Sequence, residues 1–194
     1  MIIISGPKGS GKTTVAFAMK ELGYNIPASD TSRKMRPGEI DGIDYNFISR
    51  ELFEERIKSG YYLEYTEYNG NYYGTPIGVP EKSILVLDIP GAINMTNIMR
   101  QSDGKLPILT VYLTAPRKEL ISRLVRRDGN LHEAIRAIDN DISDYENTPE
   151  YKPLLVLENL SIGESVDIID NIYRCMTEEH MDLSKLSTIT FTNY

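Results

Sequence analysis

The chain has 194 residues, 41% of them hydrophobic, and a formal net charge of −7. This size and composition suit one compact α/β domain with small inserted lobes, and the negative charge argues against general nucleic-acid binding. No apolar stretch approaches the about 18 residues of a membrane span, so we expect no membrane association. The single cysteine, Cys175, excludes an internal disulfide and fits a reducing compartment. We therefore expect a cytoplasmic protein, with Cys175 inside a helix as part of the core.

The first element is a short apolar run at residues 1–4, and a complete phosphate-binding motif follows it directly. Residues 6–13 read Gly-Pro-Lys-Gly-Ser-Gly-Lys-Thr, which matches G-x-x-x-x-G-K-[ST]. Residues 13–20 then show a helical pattern. This strand–loop–helix order is the context that the motif requires, so the sequence predicts a nucleotide-binding loop.

In such a loop, backbone N–H groups and the helix N-terminus attract phosphates. Lys12 is expected to reach the β- and γ-phosphates, and the Thr13 hydroxyl to bind Mg²⁺. The competing interpretation is a glycine-rich turn before an ordinary helix. The residues predicted to bind ATP here are Gly6, Pro7, Lys8, Gly9, Ser10, Gly11, Lys12, Thr13 and Thr14.

The next region, about residues 30–80, is rich in Tyr, Gly and charged residues and lacks long apolar runs. Residues 61–68 alternate in the manner of a strand, so we expect a small β-rich lobe inserted after the first helix. Residues 126–149 form a second polar region, which we expect to be a mobile helical lid.

Three further apolar runs are expected to form buried strands, at residues 84–88, 108–113 and 154–158. Helical patterns lie at residues 119–126 and 166–173, and the alternation of strands with helices predicts an α/β fold with a parallel sheet. We therefore expect a single domain over residues 1–194. Its predicted parts are a core at about 1–29, 81–125 and 150–180, the lobe at about 30–80, and the lid at about 126–149.

Several segments of the lobe resemble the guanylate kinase family. They are Ser29-Asp-Thr-Ser-Arg33, Arg36-Pro-Gly-Glu39, Gly42-Ile-Asp-Tyr-Asn-Phe47 and Gly70-Asn-Tyr-Tyr-Gly-Thr-Pro76. The resemblance runs from residue 2 to about residue 127, and more loosely to about residue 159. It implies a P-loop core with a lobe for the nucleoside monophosphate and a helical lid. It also implies transfer of the γ-phosphate of ATP to GMP or dGMP, with Mg²⁺. A homodimer is compatible with the sequence, which does not give the oligomeric state.

The resemblance implies that Arg33, Arg36, Tyr45 and Tyr73 hold the phosphate of GMP. The chemistry is appropriate, because arginine offers a planar fork that matches phosphate oxygens and tyrosine can donate a phenolic hydrogen bond. The competing interpretation is a pair of solvated arginines and two structural tyrosines.

The resemblance also implies that Glu64 accepts hydrogen bonds from the guanine edge, with Ser29 and Thr75 as hydroxyl partners of the base. A carboxylate would lack matching donors on adenine, and an unpaired buried charge is costly. The competing interpretation is one more surface glutamate in an acidic strand, close to Glu67.

Asp88 ends an apolar strand, where a carboxylate of the Walker B type belongs. We expect it to contribute to the GMP site and to hold Mg²⁺ together with Thr13, directly or through water, or else to orient an arginine. The chain departs from the family here: the usual Asp-x-Asp-x-Gln-Gly is replaced by Asp88-Ile-Pro-Gly, with Pro90 in place of the second aspartate.

The lid is a second departure. Arg127 matches the family arginine that approaches ATP, and Arg136 is the nearest candidate for a second one, although an ungapped alignment places Ile138 there. Asn159 matches an adenine-binding asparagine only if the alignment is shifted. The expected catalytic residues are Lys12, Arg36, Arg127 and Arg136.

Two other functions remain open at this point. Pro90 and the altered lid are compatible with a P-loop kinase for another nucleoside monophosphate, such as dTMP. A non-catalytic protein-binding module of the same shape is the other alternative. Such modules typically lose the intact phosphate loop, whereas this chain keeps Lys12 and Thr13.

Overall fold

The computed structural model describes residues 1–68, 70–101, 107–178 and 187–192. Residues 179 and 180, at the end of the predicted core, lie outside this part of the chain. The strands are β1 Ile2–Ser5, β2 Asp30–Thr31, β3 Asn46–Phe47, β4 Tyr62–Tyr68, β5 Asn71–Pro76, β6 Ile84–Val86, β7 Leu109–Thr114, β8 Leu155–Glu158 and β9 Ile189–Thr192. The helices are α1 Lys12–Met19, α2 Arg50–Lys58, α3 Ile89–Gln101, α4 Arg117–Asp128, α5 Leu131–Glu146 and α6 Ile162–Glu178, with a 3₁₀ turn at Lys20–Leu22.

The core is a five-stranded sheet in the order β6-β1-β7-β8-β9, and all its pairs are parallel. Strand β1 is buried on both faces: Ile2 and Ile4 contact the apolar cluster that includes α1 and α6, and Ile3 contacts the cluster that includes α3. Helices on both faces explain the continuous apolar runs of the strands. The predicted α/β fold class is confirmed. No helix in the described ranges is long and apolar enough to cross a membrane.

Two core elements carry no clear signal in the sequence. Helix α3 begins directly after Asp88, whose side chain accepts a hydrogen bond from the Gly91 N–H at 2.8 Å and so caps the helix. Pro90 is tolerated because it lies in the first turn of α3. Strand β9 adds an exposed parallel edge to β8. Cys175 lies on α6 as expected but is exposed, so its predicted place in the core was wrong.

The small lobe is a mixed four-stranded sheet in the order β3-β2-β5-β4, with helix α2 packed against it. Phe53 of α2 is fully buried, and its ring stacks on Tyr62 and Tyr72 at centroid distances of 4.5 and 5.1 Å. The lobe therefore has its own small aromatic core, and the predicted β-rich character is confirmed.

A buried carboxylate joins four elements of this lobe. Asp30 of β2 is fully buried and accepts hydrogen bonds from Arg56, from the Tyr62 hydroxyl at 2.8 Å and from the Asn46 side-chain amide at 2.8 Å. A buried charge is tolerated when it is paired and hydrogen-bonded in this way. These bonds connect β2 to β3, α2 and β4.

Helices α4 and α5 form an antiparallel pair that carries the lid region. Asn130 caps α5 by accepting a hydrogen bond from the Glu133 N–H at 3.1 Å. The inner faces pack through the following buried side chains: Leu120, Leu124, Ala134 and Ile138. The amphipathic pattern of α5 therefore places Ile138 in the interior of this pair.

Candidate functional site

A cavity of about 520 Å³ has walls from the core, the small lobe and the α4–α5 pair. It brings together side chains that are far apart in the sequence. The predicted site residues that line it are Lys8, Gly9, Gly11, Lys12, Thr13, Thr14, Ser29, Arg33, Arg36, Tyr45, Glu64, Tyr73, Asp88 and Arg127. Most of the predicted donor and acceptor residues therefore face one common space.

The phosphate loop connects β1 to α1 at one end of this space. Gly6 has a φ of 140°, and a Cβ there would lie 2.0 Å from the Leu113 carbonyl oxygen, so only glycine fits. Pro7 and Ser10 complete the loop but, like Gly6, do not line the cavity. The buried Ser10 hydroxyl has no hydrogen-bond partner among the described residues.

Lys12, at the start of α1, folds back onto its own loop. Its Nζ donates to the carbonyl oxygens of Gly6 and Pro7 at 2.8 and 3.0 Å. Burial lowers the pKa of Lys12 to about 8, and the nearby Asp141 carboxylate opposes this change. Lys12 thus stays mostly protonated at neutral pH and can exchange these carbonyl partners for phosphate oxygens.

The two arginines of the small lobe, Arg33 and Arg36, are organised by Glu39. The guanidinium of Arg33 donates two hydrogen bonds to the Glu39 carboxylate, at 2.8 and 3.0 Å, and the Arg36 backbone N–H donates another at 2.7 Å. Burial opposes ionisation of Glu39, but these bonds hold its pKa below the usual value. No described residue is a hydrogen-bonding partner of the Arg36 guanidinium, which faces the cavity and is available to a ligand.

Tyr45 and Tyr73 stand beside this pair of arginines. Their ring centroids are 6.0 Å apart, and the Arg33 guanidinium lies 5.5 Å from the centre of the Tyr45 ring. Burial raises the pKa of Tyr45 to about 12, and Tyr73 adds to the shift. The Tyr45 phenol therefore stays protonated and can donate to an anion, and the Tyr73 side chain lines the cavity beside it.

Glu64 lies on β4 and is almost fully buried, at 6% exposure. The Thr75 hydroxyl donates to its Oε1 at 2.7 Å. Burial raises the pKa of Glu64 to about 7, the Thr75 hydrogen bond opposes the shift, and Asp88 adds to it. Thr75 itself does not line the cavity, so its observed role is to orient Glu64.

Asp88 connects the core to the small lobe. Its Oδ2 accepts a hydrogen bond from the Thr66 hydroxyl of β4 at 2.8 Å, while Oδ1 caps α3. A Cβ on Gly91 would lie 2.9 Å from Asp88 Oδ1 and 3.0 Å from Glu64 Oε2. Glycine at this position therefore lets α3 approach both carboxylates closely.

The chemistry of the cavity suits Mg²⁺. Thr13 and Asp88 both line the cavity and supply hard oxygen donors. The described ranges contain no cluster of three acidic, histidine or cysteine ligands that would form an all-protein cage. Mg²⁺ commonly takes one or two protein ligands and completes its shell with phosphates and water, so this donor set fits the ion.

Two further predicted residues, Arg136 and Asn159, do not line the cavity. Arg136 is on the exposed side of α5. Asn159 follows β8 with a φ of 57°, and its N–H donates to the Thr114 carbonyl at 3.0 Å. Arg127 does line the cavity and pairs with Asp128 at 2.8 Å. The structure thus places only one of the two proposed lid arginines at the site.

Several polar residues that line the cavity have no role in the sequence-based assignment, and four of them hold other parts of the site: Glu39, Thr66, Tyr68 and Asp141. Glu39 stands inside the recognised Arg36-Pro-Gly-Glu39 turn, and that position could have indicated a partner for Arg33. The other three act through contacts between distant segments, for which the sequence carries no local signal.

Comparison with known proteins agrees with this geometry. The family model described as "Guanylate kinase" matches residues 1–175. A guanylate kinase of Fusobacterium nucleatum is 34% identical over 182 residues, covering 88% of this chain and 96% of the relative. One from Streptococcus pyogenes is 33% identical over 198 residues, covering 96% of this chain and 89% of the relative.

A solved structure shows the same architecture. The crystal structure of guanylate kinase from Anaplasma phagocytophilum matches with a TM-score of 0.69 and 27% identity, over 96% of this chain and 88% of that one. The sequence and fold similarities extend over almost the whole chain and include the phosphate loop and the small lobe. This chain therefore belongs to the guanylate kinase family.

Proposed function

We infer that this protein is an enzyme that transfers the γ-phosphate of ATP to GMP, giving ADP and GDP. The observation that carries the inference is that an intact phosphate loop and a buried carboxylate, Glu64, share one cavity with a cationic lobe. The loop suits a nucleoside triphosphate, and the lobe suits the phosphate and base of a nucleoside monophosphate.

We propose that the phosphate of GMP binds to Arg36 with support from Arg33, Tyr45 and Tyr73. The Arg36 guanidinium, to which no described residue is hydrogen-bonded, supports this role, since phosphoryl transfer depends on positioning and on cations around the moving group. A phosphate oxygen of GMP attacks the γ-phosphorus, and the bond from that phosphorus to the β-phosphate bridging oxygen breaks. Lys12 and Arg127 are proposed to stabilise the charge that develops on the transferred group.

We propose that Glu64 reads guanine by accepting from N1–H and the exocyclic amine. Thr75 holds the carboxylate in place, and burial means that an unmatched base would leave it unpaired. Ser29 lines the same cavity and is proposed to supply a hydroxyl to the base.

We propose Thr13 and Asp88 as the side chains that hold Mg²⁺, directly or through water. When bound, the ion neutralises charge on the phosphates. The contribution of the protein is to place the Thr13 hydroxyl at the start of α1 and to fix Asp88 through Thr66 and Gly91.

The test is a coupled assay of the purified protein with ATP and each of GMP, dGMP, AMP, CMP and TMP. We expect kcat/KM for GMP or dGMP to exceed that for the other three by at least about a hundredfold, because a polar site rejects unmatched analogues strongly. Comparable values for TMP would contradict the assignment of Glu64. Absence of turnover with every acceptor, despite nucleotide binding, would indicate a non-catalytic module.

A further inference from the structure

Three polar residues from three parts of the chain meet at one edge of the cavity. They are Lys8 of the phosphate loop, Tyr68 at the end of β4 in the small lobe, and Asp141 in α5. The Lys8 Nζ donates to the Tyr68 hydroxyl at 2.7 Å and to Asp141 Oδ1 at 2.9 Å. The Tyr68 hydroxyl in turn donates to the same Asp141 oxygen at 2.6 Å. We call these three residues the clasp.

The second oxygen of Asp141 is also bound to the phosphate loop. Oδ2 accepts a hydrogen bond from the Lys8 backbone N–H at 2.7 Å. One carboxylate of α5 is therefore held by a backbone donor and a side-chain donor of the loop, and by a phenol of the small lobe. The Lys8 ammonium also lies 4.4 Å from the centre of the Tyr68 ring, which adds a cation–π contact.

Partial burial distinguishes the clasp from the surface ion pairs of the same helix. The side chains of Lys8 and Asp141 are 26% and 11% exposed, whereas those of the Arg117–Asp139 pair are 52% and 48% exposed. Partly buried charges are screened less by solvent and salt, and exposed pairs contribute little. The clasp is therefore expected to influence the positions of the elements that it joins, and the Arg117–Asp139 pair is not.

The position of Lys8 raises the question of whether it binds phosphate. Two of the three N–H groups of its ammonium are already used, by Tyr68 and Asp141, and the Asp141 carboxylate neutralises its charge. Lys12 is the better candidate for binding the ATP phosphates, because its present hydrogen-bond partners are loop carbonyl oxygens and not a carboxylate. This arrangement favours a role for Lys8 in holding the cavity together.

We propose that Lys8, Tyr68 and Asp141 are positioning residues that hold the lid and the acceptor lobe against the phosphate loop. This inference rests on the proposed function, because it assigns the clasp to the cavity in which ATP and GMP react. Closing such lobes excludes water and completes the site. Loss of the clasp makes the closed arrangement less populated, and apparent affinity falls in proportion to that population.

This mechanism predicts a particular pattern of binding. A residue that acts on closure affects both nucleotides, whereas a ligand of the ATP phosphates affects ATP alone. We expect Tyr68→Phe, Asp141→Asn and Lys8→Met each to weaken binding of a non-hydrolysable ATP analogue and of GMP by a similar factor of about ten, a typical size for coupling between sites. The Lys8→Met/Asp141→Asn double variant is expected to bind little more weakly than either single variant, because the residues act as a unit.

The experiment is isothermal titration calorimetry of each nucleotide separately into the full-length protein, with thermal unfolding to confirm folding. Asp139→Asn is the matched control, since it makes the same chemical change on the same helix, and it should bind both nucleotides within about twofold of the wild type. Wild-type turnover of GMP, measured in parallel, tests the proposed function independently of the clasp.

Three outcomes would contradict the proposed role of the clasp without contradicting the proposed kinase activity. Weakening of the ATP analogue alone in Lys8→Met would make Lys8 a phosphate ligand. Tighter ATP binding in Asp141→Asn, with GMP unchanged, would mean that Asp141 only competes with phosphate for the loop. Wild-type affinities in all three folded variants would show that the contacts have no role in closure.

Discussion

The phosphate loop and the acceptor lobe present two ways of building an anion site. In the proposed site, the loop offers backbone N–H groups and one lysine, all within a few consecutive residues between β1 and α1. The lobe uses side chains from separate segments, and carboxylates of the protein hold them in place: Glu39 holds Arg33 and the Arg36 backbone. The loop is thus set by local backbone geometry, and the lobe by interactions between side chains. Substitutions should therefore have distinct effects on the two sides of the cavity.

The largest effect is expected on the donor side. We expect Lys12→Ala to lower kcat by at least about a hundredfold, because a cation that stabilises the transition state is lost. Steady-state kinetics measure this, and circular dichroism should show an unchanged fold. Lys20→Ala, at the exposed end of the same helical segment, is the control. Near-normal turnover by the Lys12→Ala variant would contradict the proposed role of the phosphate loop in catalysis.

On the acceptor side, Arg36→Met is expected to lower kcat/KM for GMP by roughly 30- to 100-fold, since small misplacements of a reacting group are costly. Binding of ATP should stay within about twofold of the wild type. Arg36→Lys should rescue only in part, because lysine supplies the charge without the fork. Calorimetry with each nucleotide tests this selectivity. Equal weakening of ATP binding and GMP binding would contradict the assignment of Arg36 to the GMP phosphate.

The acceptor side should also depend on pH through Glu64, whose pKa is about 7. The carboxylate must be ionised to accept from guanine, so GMP affinity should rise about tenfold from about pH 6 to about pH 8. The GMP phosphate titrates in the same range, with a second pKa of about 6. Glu64→Gln is the control, because the GMP phosphate still titrates but the carboxyl group is absent. This variant should bind GMP more weakly, and its GMP affinity should rise less with pH than that of the wild type. Identical pH profiles would show that Glu64 does not contact the base.

The same pKa shift has a consequence for stability. Because the folded state holds the Glu64 proton up to a higher pH than the unfolded state, the free energy of unfolding of the nucleotide-free protein should fall as pH rises from about 4.5 to about 7. Urea unfolding across this range should show a steeper decline in the wild type than in Glu64→Gln. Parallel curves would mean that the carboxyl group is ionised throughout.

The smallest effect is expected for the support of the arginines. Glu39→Gln removes a charged partner of Arg33 but leaves Arg36 in the cavity, so we expect KM for GMP to rise about three- to fivefold, with KM for ATP unchanged. Glu54→Gln is the control, since Glu54 pairs with Arg50 at the exposed surface. A parallel rise for ATP would show that Glu39 supports the whole cavity.

These two sides also differ in how far the sequence could predict them. The phosphate loop follows from one contiguous motif, and Asp88 from its place after an apolar strand. The parallel sheet follows from the apolar runs. Glu64 and Arg36 required comparison with a family, because a single glutamate in an acidic strand has no distinctive pattern.

Residues whose roles depend on packing between elements could not be predicted from the sequence. Arg136 was chosen by its spacing from Arg127, but the apolar face of α5 is directed at Leu120 and Leu124, and Arg136 is on the exposed side. Asp141 and Lys8 are separated by 133 positions, and no local pattern connects them. Helix α3 was missed because its helical character depends on the Asp88 cap and a tolerated proline.

The small lobe separates the residues that fold it from the residues that face its ligand. Asp30, Phe53 and Arg56 belong to its internal network, and none of them lines the cavity. Arg36 and Tyr45 face the cavity and take no part in that network. The proposed contacts with the acceptor phosphate should therefore be open to redesign, and to evolutionary drift, at little cost in folding. In a directed-evolution experiment, variants with altered acceptor choice should carry their substitutions along the cavity wall and retain the Asp30 network unchanged.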